Sequence, residues 1–313
     1  MQPIFSIIIP SNRKNNLKTC IGSILKQSLK NYELILISNE SFNYNNILIK
    51  NIITKNKNPA FRRNLASKKA KGKILVFIDD DAYPSKDWLK TAYDFFKKHP
   101  ETEVLGGPDL TPPNAPLSEK ITDTLLKHKL LGSGVLAHQN PKKLQEAKSP
   151  SSLALCNLFV KKELFNKIAG FNEKIGYGGE DTEFLYLAKK RFKAKLIYHP
   201  DLLVYHKKRR FPIPYLKQRL KFRINNGKML YIYPELYLKN KKFLLFFFGI
   251  SAVLSLSIFY PLFLIISLIS YLILVLATSL NYIKKDIKLL FILPPAFILH
   301  HAAYYIGILI GLS

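Results

Sequence analysis

The sequence is poor in cysteine and in acidic residues. Its 313 residues include two cysteines, Cys20 and Cys156, and 21 aspartates and glutamates against 48 lysines and arginines. Two isolated cysteines exclude a disulfide framework and indicate a reducing compartment. The shortage of acid leaves a formal net charge of +27, which favours anionic partners such as nucleotide phosphates or anionic lipid. Because no helix-turn-helix, zinc-finger or RNA-binding signature is present, we expect no nucleic-acid partner.

Charged residues are absent from one long segment near the C-terminus. None occurs from Phe243 to Leu280, a stretch nearly twice the roughly 20 residues that one helix needs to cross a bilayer. Pro261 lies near its middle, so we expect a hairpin of two helices; one long kinked span or a re-entrant loop is the alternative. A later apolar run contains only His300 and His301 as ionisable groups. We therefore predict a transmembrane region over 243–313 with about three helices, at 243–260, 261–280 and 289–312.

Basic residues beside these helices predict their orientation. Lys241 and Lys242 precede the first helix, and Lys284, Lys285 and Lys288 precede the third. If the first two helices form a hairpin, both basic flanks lie on the same side of the membrane. Since positive flanks favour the cytoplasmic side, we expect a multi-pass protein of the cell membrane whose N-terminal domain is cytoplasmic.

The segment 211–242 mixes basic side chains with Tyr, Phe, Leu and Ile. This pattern predicts a basic amphipathic linker, a helix that lies in the headgroup layer and is attracted by anionic lipid. A soluble helix that packs on the N-terminal domain is the alternative. Membrane lipid is therefore an expected partner.

The first 210 residues predict an α/β domain. Continuous apolar runs at Phe5–Pro10, 33–38 and 73–78 have the length and composition of buried strands. Amphipathic helices are expected between them, the second beginning at Asn58-Pro59. Strands that alternate with helices predict a mostly parallel sheet with both faces covered.

Three consecutive carboxylates, Asp79, Asp80 and Asp81, follow the third of these runs. Like charges repel, so a fold that places them at the end of a buried strand is expected to hold a cation there. Aspartate oxygens suit Mg²⁺ or Mn²⁺, which commonly also bind a substrate phosphate. A solvated acidic turn before the next helix is the alternative, although Ser85 already suits that helix as its N-cap. Ser11 and Asn39 also follow strand ends and should line the same crevice.

Four segments in this order resemble the family 2 glycosyltransferases. They read SIIIPSNRK, YELILISNES, AFRRNLASKKAKGKILVFIDDD and, at Gly170–His206, GFNEKIGYGGEDTEFLYLAKKRFKAKLIYHPDLLVYH. The resemblance covers about residues 4–206. It implies the GT-A nucleotide-diphospho-sugar transferase fold, with a mostly parallel Rossmann-like sheet, over residues 1–210, followed by the linker and the helical membrane region.

The resemblance assigns donor-side roles. In that family the acidic cluster binds the ribose and the metal on the donor diphosphate. Asp81 is accordingly the expected ligand of Mg²⁺ or Mn²⁺, and Asp79 or Asp80 the ribose contact. Arg63 matches the family's Arg-Asn position, where the guanidinium holds the nucleotide. We expect its neighbour Arg62 on an exposed helix face.

Two further donor contacts are implied. Pro10 and Ser11 resemble the first turn that contacts the nucleotide. The loop after the second strand departs from the family, because ISNES stands where an acidic VDDGS-like string is usual. Asn39 can hydrogen-bond a uracil or thymine edge, so UDP- or dTDP-sugars are favoured over GDP-sugars as donors.

Acceptor-side roles follow from the last segment. Glu180 and Asp181 match the acidic pair that faces the acceptor, with Asp181 as the general base. The alternative is that Asp181 only caps a helix over 182–191. Gly107 and Asn157 are expected near the sugar and the acceptor.

Two more features remain open at this point. His206, by resemblance, contacts the metal or the diphosphate, whereas a lone histidine is often structural. The glycine-rich loop at 176–179 is expected to close over substrate, with a phosphate-cradling loop as the alternative.

The resemblance implies a membrane-bound, metal-dependent, inverting glycosyltransferase. It would move a sugar from a nucleotide diphosphate to a lipid-linked or cell-envelope glycan acceptor. A processive polysaccharide synthase is one alternative, but QRLKF at 218–222 matches the QxxRW string of such enzymes poorly. A catalytically inactive basic membrane scaffold is another, and the intact Asp81, Arg63 and Asp181 argue against it.

Overall fold

The computed structural model describes most of the chain. The described residues are 2–11, 14–42, 49–129, 131–132, 135–175, 178–282 and 286–313, apart from the side chains at 14–16. They belong to two compact units, Met1–Lys208 and Arg209–Ser313.

The first unit alternates strands with helices. Its strands are β1 Phe5–Pro10, β2 Tyr32–Ser38, β3 Ile49–Ile53, β4 Ile74–Phe77, β5 Ala82–Pro84, β6 Val104–Gly106, β7 Asp109–Leu110, β8 Gln145–Glu146, β9 Leu158–Lys161, β10 Leu196–Tyr198 and β11 Val204–His206. Its helices are α1 Lys14–Leu25, α2 Pro59–Lys69, α3 Trp88–Lys98, α4 Leu117–Lys127, α5 Leu136–Gln139, α6 Lys162–Lys167 and α7 Glu180–Phe192.

The main sheet has the order β3-β2-β1-β4-β9-β6-β10-β8. Strand β1 pairs in parallel with β2 and β4, and β2 pairs in parallel with β3. Strand β9 is antiparallel to β4 and β6, and β8 is antiparallel to β10. Every residue of β2 and β4 is buried, as parallel strands covered on both faces require. The predicted mostly parallel α/β sheet is confirmed.

Two apolar cores cover the two faces of this sheet. Side chains of a strand alternate between the two faces of a sheet. Ile7 of β1 therefore lies in the core that contains Trp88 and the buried residues of α1. Ile8 lies in the other core, with Ala60 of α2 and Phe184 of α7. The two helices that carry candidate site residues, α2 and α7, therefore share one core on one face of the sheet.

A second, three-stranded sheet has the order β5-β11-β7. Strand β11 is antiparallel to β5 and parallel to β7. In this register His206 pairs with Ala82, and Val204 pairs with Asp109. Because Ala82 directly follows the aspartate triplet, this small sheet brings the end of β11 beside those carboxylates.

Two local expectations in this unit are wrong. Arg62, expected on an exposed helix face, is only 1% exposed, and its guanidinium donates to the carbonyl oxygens of Asn56 at 2.6 Å and Ser11 at 2.9 Å. Helix α3 begins at Trp88 with Asp87, not Ser85, at its N-cap position. The predicted start of α2 is confirmed, since the Asn58 side chain accepts hydrogen bonds from the first-turn N–H groups.

Glu33 is a buried carboxylate at the amino end of the sheet. It pairs across the strands with Ser6, whose hydroxyl donates to Glu33 Oε1 at 2.6 Å, and it also accepts from the backbone N–H of Lys71 and pairs with Lys50. Gly72 lies close by, because a Cβ there would come within 2.6 Å of the Ser6 nitrogen. Burial alone would raise the pKa of Glu33, but the hydrogen bonds from Lys50, Ser6 and Lys71 outweigh it and lower the pKa.

A Glu33→Gln variant is expected to be less stable than the wild type at neutral pH, by about 1–3 kcal/mol, because it weakens these charge-assisted hydrogen bonds. A lowered pKa stabilises the fold above the ordinary pKa of glutamate, and this stabilisation is lost as the pH falls through the folded-state pKa. The difference between the two proteins should therefore shrink in acid. Thermal unfolding at neutral and acidic pH measures it, with the exposed Glu163→Gln as the control. Equal stability at neutral pH would contradict the prediction.

The second unit is helical in its described residues. Its helices are α8 Ile213–Ile232, α9 Pro234–Leu238, α10 Lys241–Phe259, α11 Pro261–Leu280 and α12 Lys288–Leu312. Three of them, α10, α11 and α12, are long and apolar enough to cross a membrane. Helices α10 and α11 meet at Tyr260 and pack against each other, as a hairpin requires. Lys284 and Lys285 of the predicted basic flank lie outside the described residues.

Helix α8 packs along α12 through glycines. A Cβ at Gly227 would come within 2.4 Å of the Ile308 carbonyl oxygen, and one at Gly311 within 2.1 Å of the Ile224 carbonyl oxygen. Small residues allow such close backbone approach between helices. The segment predicted as an interfacial linker therefore folds as helices α8 and α9, and its place in the headgroup layer stays a prediction.

The two histidines of α12 are buried and turn towards neighbouring helices. The hydroxyl of Tyr215 lies 2.7 Å from His300 Nδ1, and that of Tyr271 lies 2.6 Å from His301 Nδ1. Each imidazole thus has a hydrogen-bonding partner, which a polar group among apolar helices needs.

Candidate active site

The carboxyl edge of the main sheet gathers most of the predicted site residues. Ser11 follows β1, and the triplet Asp79–Asp81 follows β4, its parallel neighbour. Helix α2 contributes Arg63, and α7 contributes Glu180 as its first residue. Because parallel strands end at one edge, residues from distant parts of the chain meet there.

Arg63 joins two of these acidic groups. Its Nη2 lies 2.7 Å from Asp79 Oδ1, and its Nη1 lies 3.2 Å from Glu180 Oε1. The arginine is buried, and burial alone would lower its pKa, but the carboxylates of Asp79 and Glu180 outweigh this effect and raise the pKa. Arg63 therefore stays charged and holds the triplet and the start of α7 together.

Ser11 links the end of β1 to the triplet. Its hydroxyl donates to Asp80 Oδ2 at 2.7 Å, and its carbonyl oxygen accepts from Arg62 at 2.9 Å. The carboxylate of Asp80 and the backbone of Ser11 are thus held by neighbouring groups. Pro10, the last residue of β1, directly precedes Ser11.

Two aspartates of the triplet and a nearby histidine could together bind a divalent cation. Asp79, Asp81 and His206 each offer one ligand atom, and these atoms lie within 4.8 Å of one another. His206 Nε2 is 3.1 Å from Asp81 Oδ1. Carboxylate oxygens suit Mg²⁺ and Mn²⁺, and imidazole is a common ligand of transition metals. The two metal ligands predicted from the sequence, Asp81 and His206, lie together, and Asp79 is a further candidate.

Glu180 and Asp181 begin helix α7 but have different surroundings. Glu180 is 5% exposed, pairs with Arg63 and accepts from the Gly178 N–H at 2.9 Å. Asp181 is partly exposed, and its Oδ1 accepts from the N–H of Thr182 at 2.7 Å. Since Gly179 occupies the N-cap position, Asp181 is the second residue of the helix and not its cap.

Burial raises the pKa of both carboxyl groups. It raises the pKa of Asp181, and burial with the neighbouring charge of Asp181 raises the pKa of Glu180 to about 7 although Arg63 acts in the opposite direction. A carboxylate with a raised pKa is a stronger base. Glu180 is the member of the pair that binds Arg63, and Asp181 is the more exposed of the two.

Two residues predicted at the acceptor side are buried and closely packed. Asn157 is fully buried, accepts from the Trp88 indole at 2.9 Å, and donates to the carbonyl oxygens of Pro108 at 2.9 Å and Leu202 at 2.7 Å. Gly107 is buried as well, and a Cβ there would come within 2.4 Å of the Leu202 carbonyl oxygen. Close packing accounts for both residue types, and their places near the sugar and the acceptor stay predictions.

Asn39 and the glycine-rich loop are the remaining features of the predicted site. Asn39 is exposed directly after β2, at the same edge of the sheet as Ser11, and its contact with a base stays a prediction. In the predicted glycine-rich loop, positions 176 and 177 lie outside the described residues. Gly178 and Gly179 both have positive φ, 93° and 110°, which glycine adopts without strain.

Sequence reasoning missed one buried acid beside the site. Asp109, the first residue of β7, is 2% exposed, and Lys208 Nζ lies 2.5 Å from its Oδ1. Burial alone would raise the pKa of Asp109, but Lys208 and His206 outweigh it and hold the pKa well below its usual range. A single aspartate after a glycine pair and a proline carries no signal of such partners, because they come from β11 and the residues after it.

An Arg63→Met variant is expected to unfold about 6–12 °C below the wild type. Removing one partner of a buried ion pair typically costs about 3–5 kcal/mol, and the partial exposure of Asp79 places this site near the lower value. Thermal unfolding of the purified protein measures the change. Arg191→Met, at an exposed position on the last turn of α7, is the matched control. An unchanged midpoint for Arg63→Met would show that the bridge does not hold the fold together.

Family models match most of the chain. The model described as Glycosyl transferase family 2 matches residues 6–133, and the model described as Glycosyl transferase family group 2 matches residues 74–309. The second match alone covers well over half of the chain and reaches into α12.

Curated relatives match shorter segments. An uncharacterized glycosyltransferase of Haemophilus influenzae is 36% identical over 105 residues, which are 30% of this chain and 42% of that protein. The poly(ribitol-phosphate) beta-N-acetylglucosaminyltransferase TarS of Staphylococcus aureus is 28% identical over 115 residues, 32% of this chain and 20% of TarS. These matches thus span less than half the length of either relative.

A solved structure is similar over nearly the whole chain. The mannosyltransferase PcManGT from Pyrobaculum calidifontis, in complex with GDP-Man and Mn²⁺, superposes with a TM-score of 0.59 over 97% of this chain and 87% of that chain, at 15% identity. The likeness concerns the fold, and the expected GT-A fold with apolar C-terminal helices is confirmed. By these family matches and this fold, the chain belongs to the family 2 glycosyltransferases.

Proposed function

We propose that this protein is a membrane-bound, metal-dependent, inverting glycosyltransferase. It transfers a sugar from a nucleotide-diphosphate donor to a lipid-linked or cell-envelope glycan acceptor. The observation that carries the proposal is the bridge made by Arg63, which contacts Asp79 on the donor side and Glu180 beside Asp181. Through it, one crevice holds both the groups for a donor and a base for an acceptor.

On the donor side, Pro10, Ser11 and the triplet form the nucleotide site. Ser11 fixes Asp80, and Arg62 fixes the carbonyl group of Ser11, so this surface is set before the donor binds. Asp79 or Asp80 contacts the ribose. A divalent cation held by Asp79, Asp81 and His206 would neutralise the charge that develops on the departing diphosphate.

On the acceptor side, Asp181 acts as the general base. It takes the proton of the acceptor hydroxyl while the hydroxyl oxygen attacks the anomeric carbon from the face opposite the diphosphate, which inverts that centre. The raised pKa of Asp181 favours this proton transfer. The ion pair between Glu180 and Arg63 holds the first turn of α7, and so Asp181, in place.

The second unit supplies the membrane attachment. Helices α10, α11 and α12 have the length and hydropathy of spans, and α8 has no acidic residue. Its basic residues are Lys217, Arg219, Lys221, Arg223 and Lys228. Such a helix suits anionic headgroups. The protein would then be a multi-pass protein of the cell membrane with its catalytic domain on the cytoplasmic side.

The names of similar proteins support a nucleotide-sugar donor and a glycan or polymer acceptor as classes of substrate. TarS acts on poly(ribitol phosphate) and PcManGT was solved with GDP-Man, so a nucleotide-sugar donor and a polymeric or lipid-linked acceptor fit both the family and this site. Asn39 favours uracil or thymine as the donor base.

A donor screen tests the proposal. The purified protein is incubated with UDP-, GDP- and dTDP-sugars in Mn²⁺ or Mg²⁺, and nucleotide release is followed. We expect slow release with one donor class, abolished by EDTA and restored by added metal. Release that persists unchanged in EDTA would overturn the metal requirement, and no release with any donor, in the presence of membrane lipid extract, would overturn the proposed transfer.

A further inference from the structure

Asp109 is a buried carboxylate surrounded by three basic side chains. Its Oδ1 lies 2.5 Å from Lys208 Nζ and 3.2 Å from His206 Nδ1, and its Oδ2 lies 3.3 Å from His138 Nδ1. The carboxylate is 2% exposed. A buried charge of this kind needs partners. Asp109 has them in His206 at the end of β11, in Lys208 two residues later, and in His138 of α5.

The small sheet fixes the geometry of this group. Strand β7 begins with Asp109, which pairs with Val204 of the parallel strand β11. His206 stands two residues beyond Val204 and therefore projects from the same face of the strand. On the other side, His206 pairs with Ala82, the residue after Asp81. One three-stranded sheet thus places the imidazole between two carboxylates.

The imidazole uses its two nitrogens towards different acids. His206 Nε2 lies 3.1 Å from Asp81 Oδ1, on the side of the proposed cation, and Nδ1 lies 3.2 Å from Asp109 Oδ1. The Nδ1 atom is buried and makes no aligned hydrogen bond among the described residues, and the carboxylate oxygen Oδ1 of Asp109 lies beside it as an acceptor. A histidine that binds a cation through Nε2 must carry its proton on Nδ1.

A cation at Asp109 itself is disfavoured. Asp109, Cys156 and His206 also offer three ligand atoms within 4.8 Å of one another. However, the ammonium group of Lys208 already contacts Asp109 and would repel a metal ion there. With Lys208 bound, Asp109 can still accept hydrogen bonds, and a metal ion is expected at Asp79, Asp81 and His206 instead.

We propose that Asp109 is a positioning residue for the metal site. It accepts a hydrogen bond from the Nδ1–H group of His206 and so keeps Nε2 directed at the cation held with Asp81. This inference rests on the proposed metal site. Lys208 neutralises Asp109 and stops it from acting as a ligand.

The test measures metal binding directly. Mn²⁺ is titrated into the full-length protein in the presence of UDP, with GDP in a parallel series, and free Mn²⁺ is followed by electron paramagnetic resonance. We expect Asp109→Asn to weaken Mn²⁺ binding by about 10–100-fold, as partners of metal-binding histidines typically do. Asp123→Asn is the control, because Asp123 is a partly buried acid whose hydrogen bond and ion pair are made with Thr111 and Lys127 and not with His206. It should leave Mn²⁺ binding unchanged.

A double-mutant cycle separates positioning from general support of the fold. If Asp109 acts through His206, Asp109→Asn should have no further effect on Mn²⁺ binding in a His206→Gln background. An equal loss in both backgrounds would overturn the proposal, and so would unchanged binding by Asp109→Asn. If the wild type itself bound no Mn²⁺ with either nucleotide, the proposed metal site would fail first, and this inference with it.

A second measurement does not depend on a variant at position 109. Imidazole ¹⁵N shifts of histidine-labelled wild type with UDP and Mg²⁺, assigned by loss of a signal in His206→Gln, report which nitrogen carries the proton. We expect the proton on Nδ1. A proton on Nε2 in that complex would overturn the proposal even if Asp109→Asn failed to fold.

Discussion

The Asp81→Asn variant is expected to transfer sugar at least about 10³-fold more slowly than the wild type. The substitution removes a negative charge beside His206, where the proposed cation binds. A bound cation contributes several kcal/mol to charge stabilisation in the transition state, and about 4 kcal/mol corresponds to roughly 10³ in rate. Initial rates of nucleotide release at increasing Mn²⁺ measure the effect, and very high Mn²⁺ should restore part of the activity.

Asp87→Asn is the matched control for this loss. Asp87 is an exposed aspartate a few residues further along, at the start of α3, and its side chain makes no capping hydrogen bond. It should retain wild-type rates. If Asp81→Asn kept more than a tenth of the wild-type rate at limiting Mn²⁺, Asp81 would not be a metal ligand.

The Asp181→Asn variant is expected to lose about 10²–10⁴-fold in transfer, the usual contribution of a positioned general base. An amide cannot take the acceptor proton, whereas the shape of the side chain and the start of α7 are kept. Donor binding should change little, because Asp181 is proposed to face the acceptor and not the donor. Rates of transfer and the dissociation constant of the nucleotide, measured on the same preparation, separate the two effects.

The pH dependence gives this prediction a second readout. Asp181 must be ionised to act as a base, so transfer should fall as the pH drops through its pKa. Burial raises that pKa, and the acid limb should therefore lie at higher pH than for an ordinary aspartate. Asp181→Asn should lose this limb, whereas Asp201→Asn, at an exposed position, should keep it. A variant at Asp181 with a wild-type rate and an unchanged pH profile would remove the base assignment.

Much of the first unit could be predicted from the sequence because local pattern and burial agree there. The continuous apolar runs of β1, β2 and β4 admit only strands that are covered on both faces, and each ends in polar residues at the same edge. The triplet Asp79–Asp81 was therefore found as a site candidate at the end of β4, whereas the pair Glu180–Asp181 was found only through the resemblance to the family. The apolar helices α10, α11 and α12 followed from length and the absence of charge.

Residues that act through long-range contacts could not be assigned in this way. Arg62 and Arg63 are adjacent in sequence, and nothing local says that one holds backbone carbonyl groups while the other bridges two carboxylates. Nothing local says that Asn157 has three buried partners, in Trp88, Pro108 and Leu202. In each case the partners come from segments far apart in the chain.

The sequence by itself determined the α/β class, the acidic triplet at a strand end and the apolar C-terminal helices, because these depend on periodicity, strand length and hydropathy. Only the tertiary structure decided which charges meet: Arg63 with Asp79 and Glu180, and His206 with Asp81 and Asp109. The physical reason is that strand order and the register of β5, β11 and β7 set these distances, and neither is encoded in any one segment.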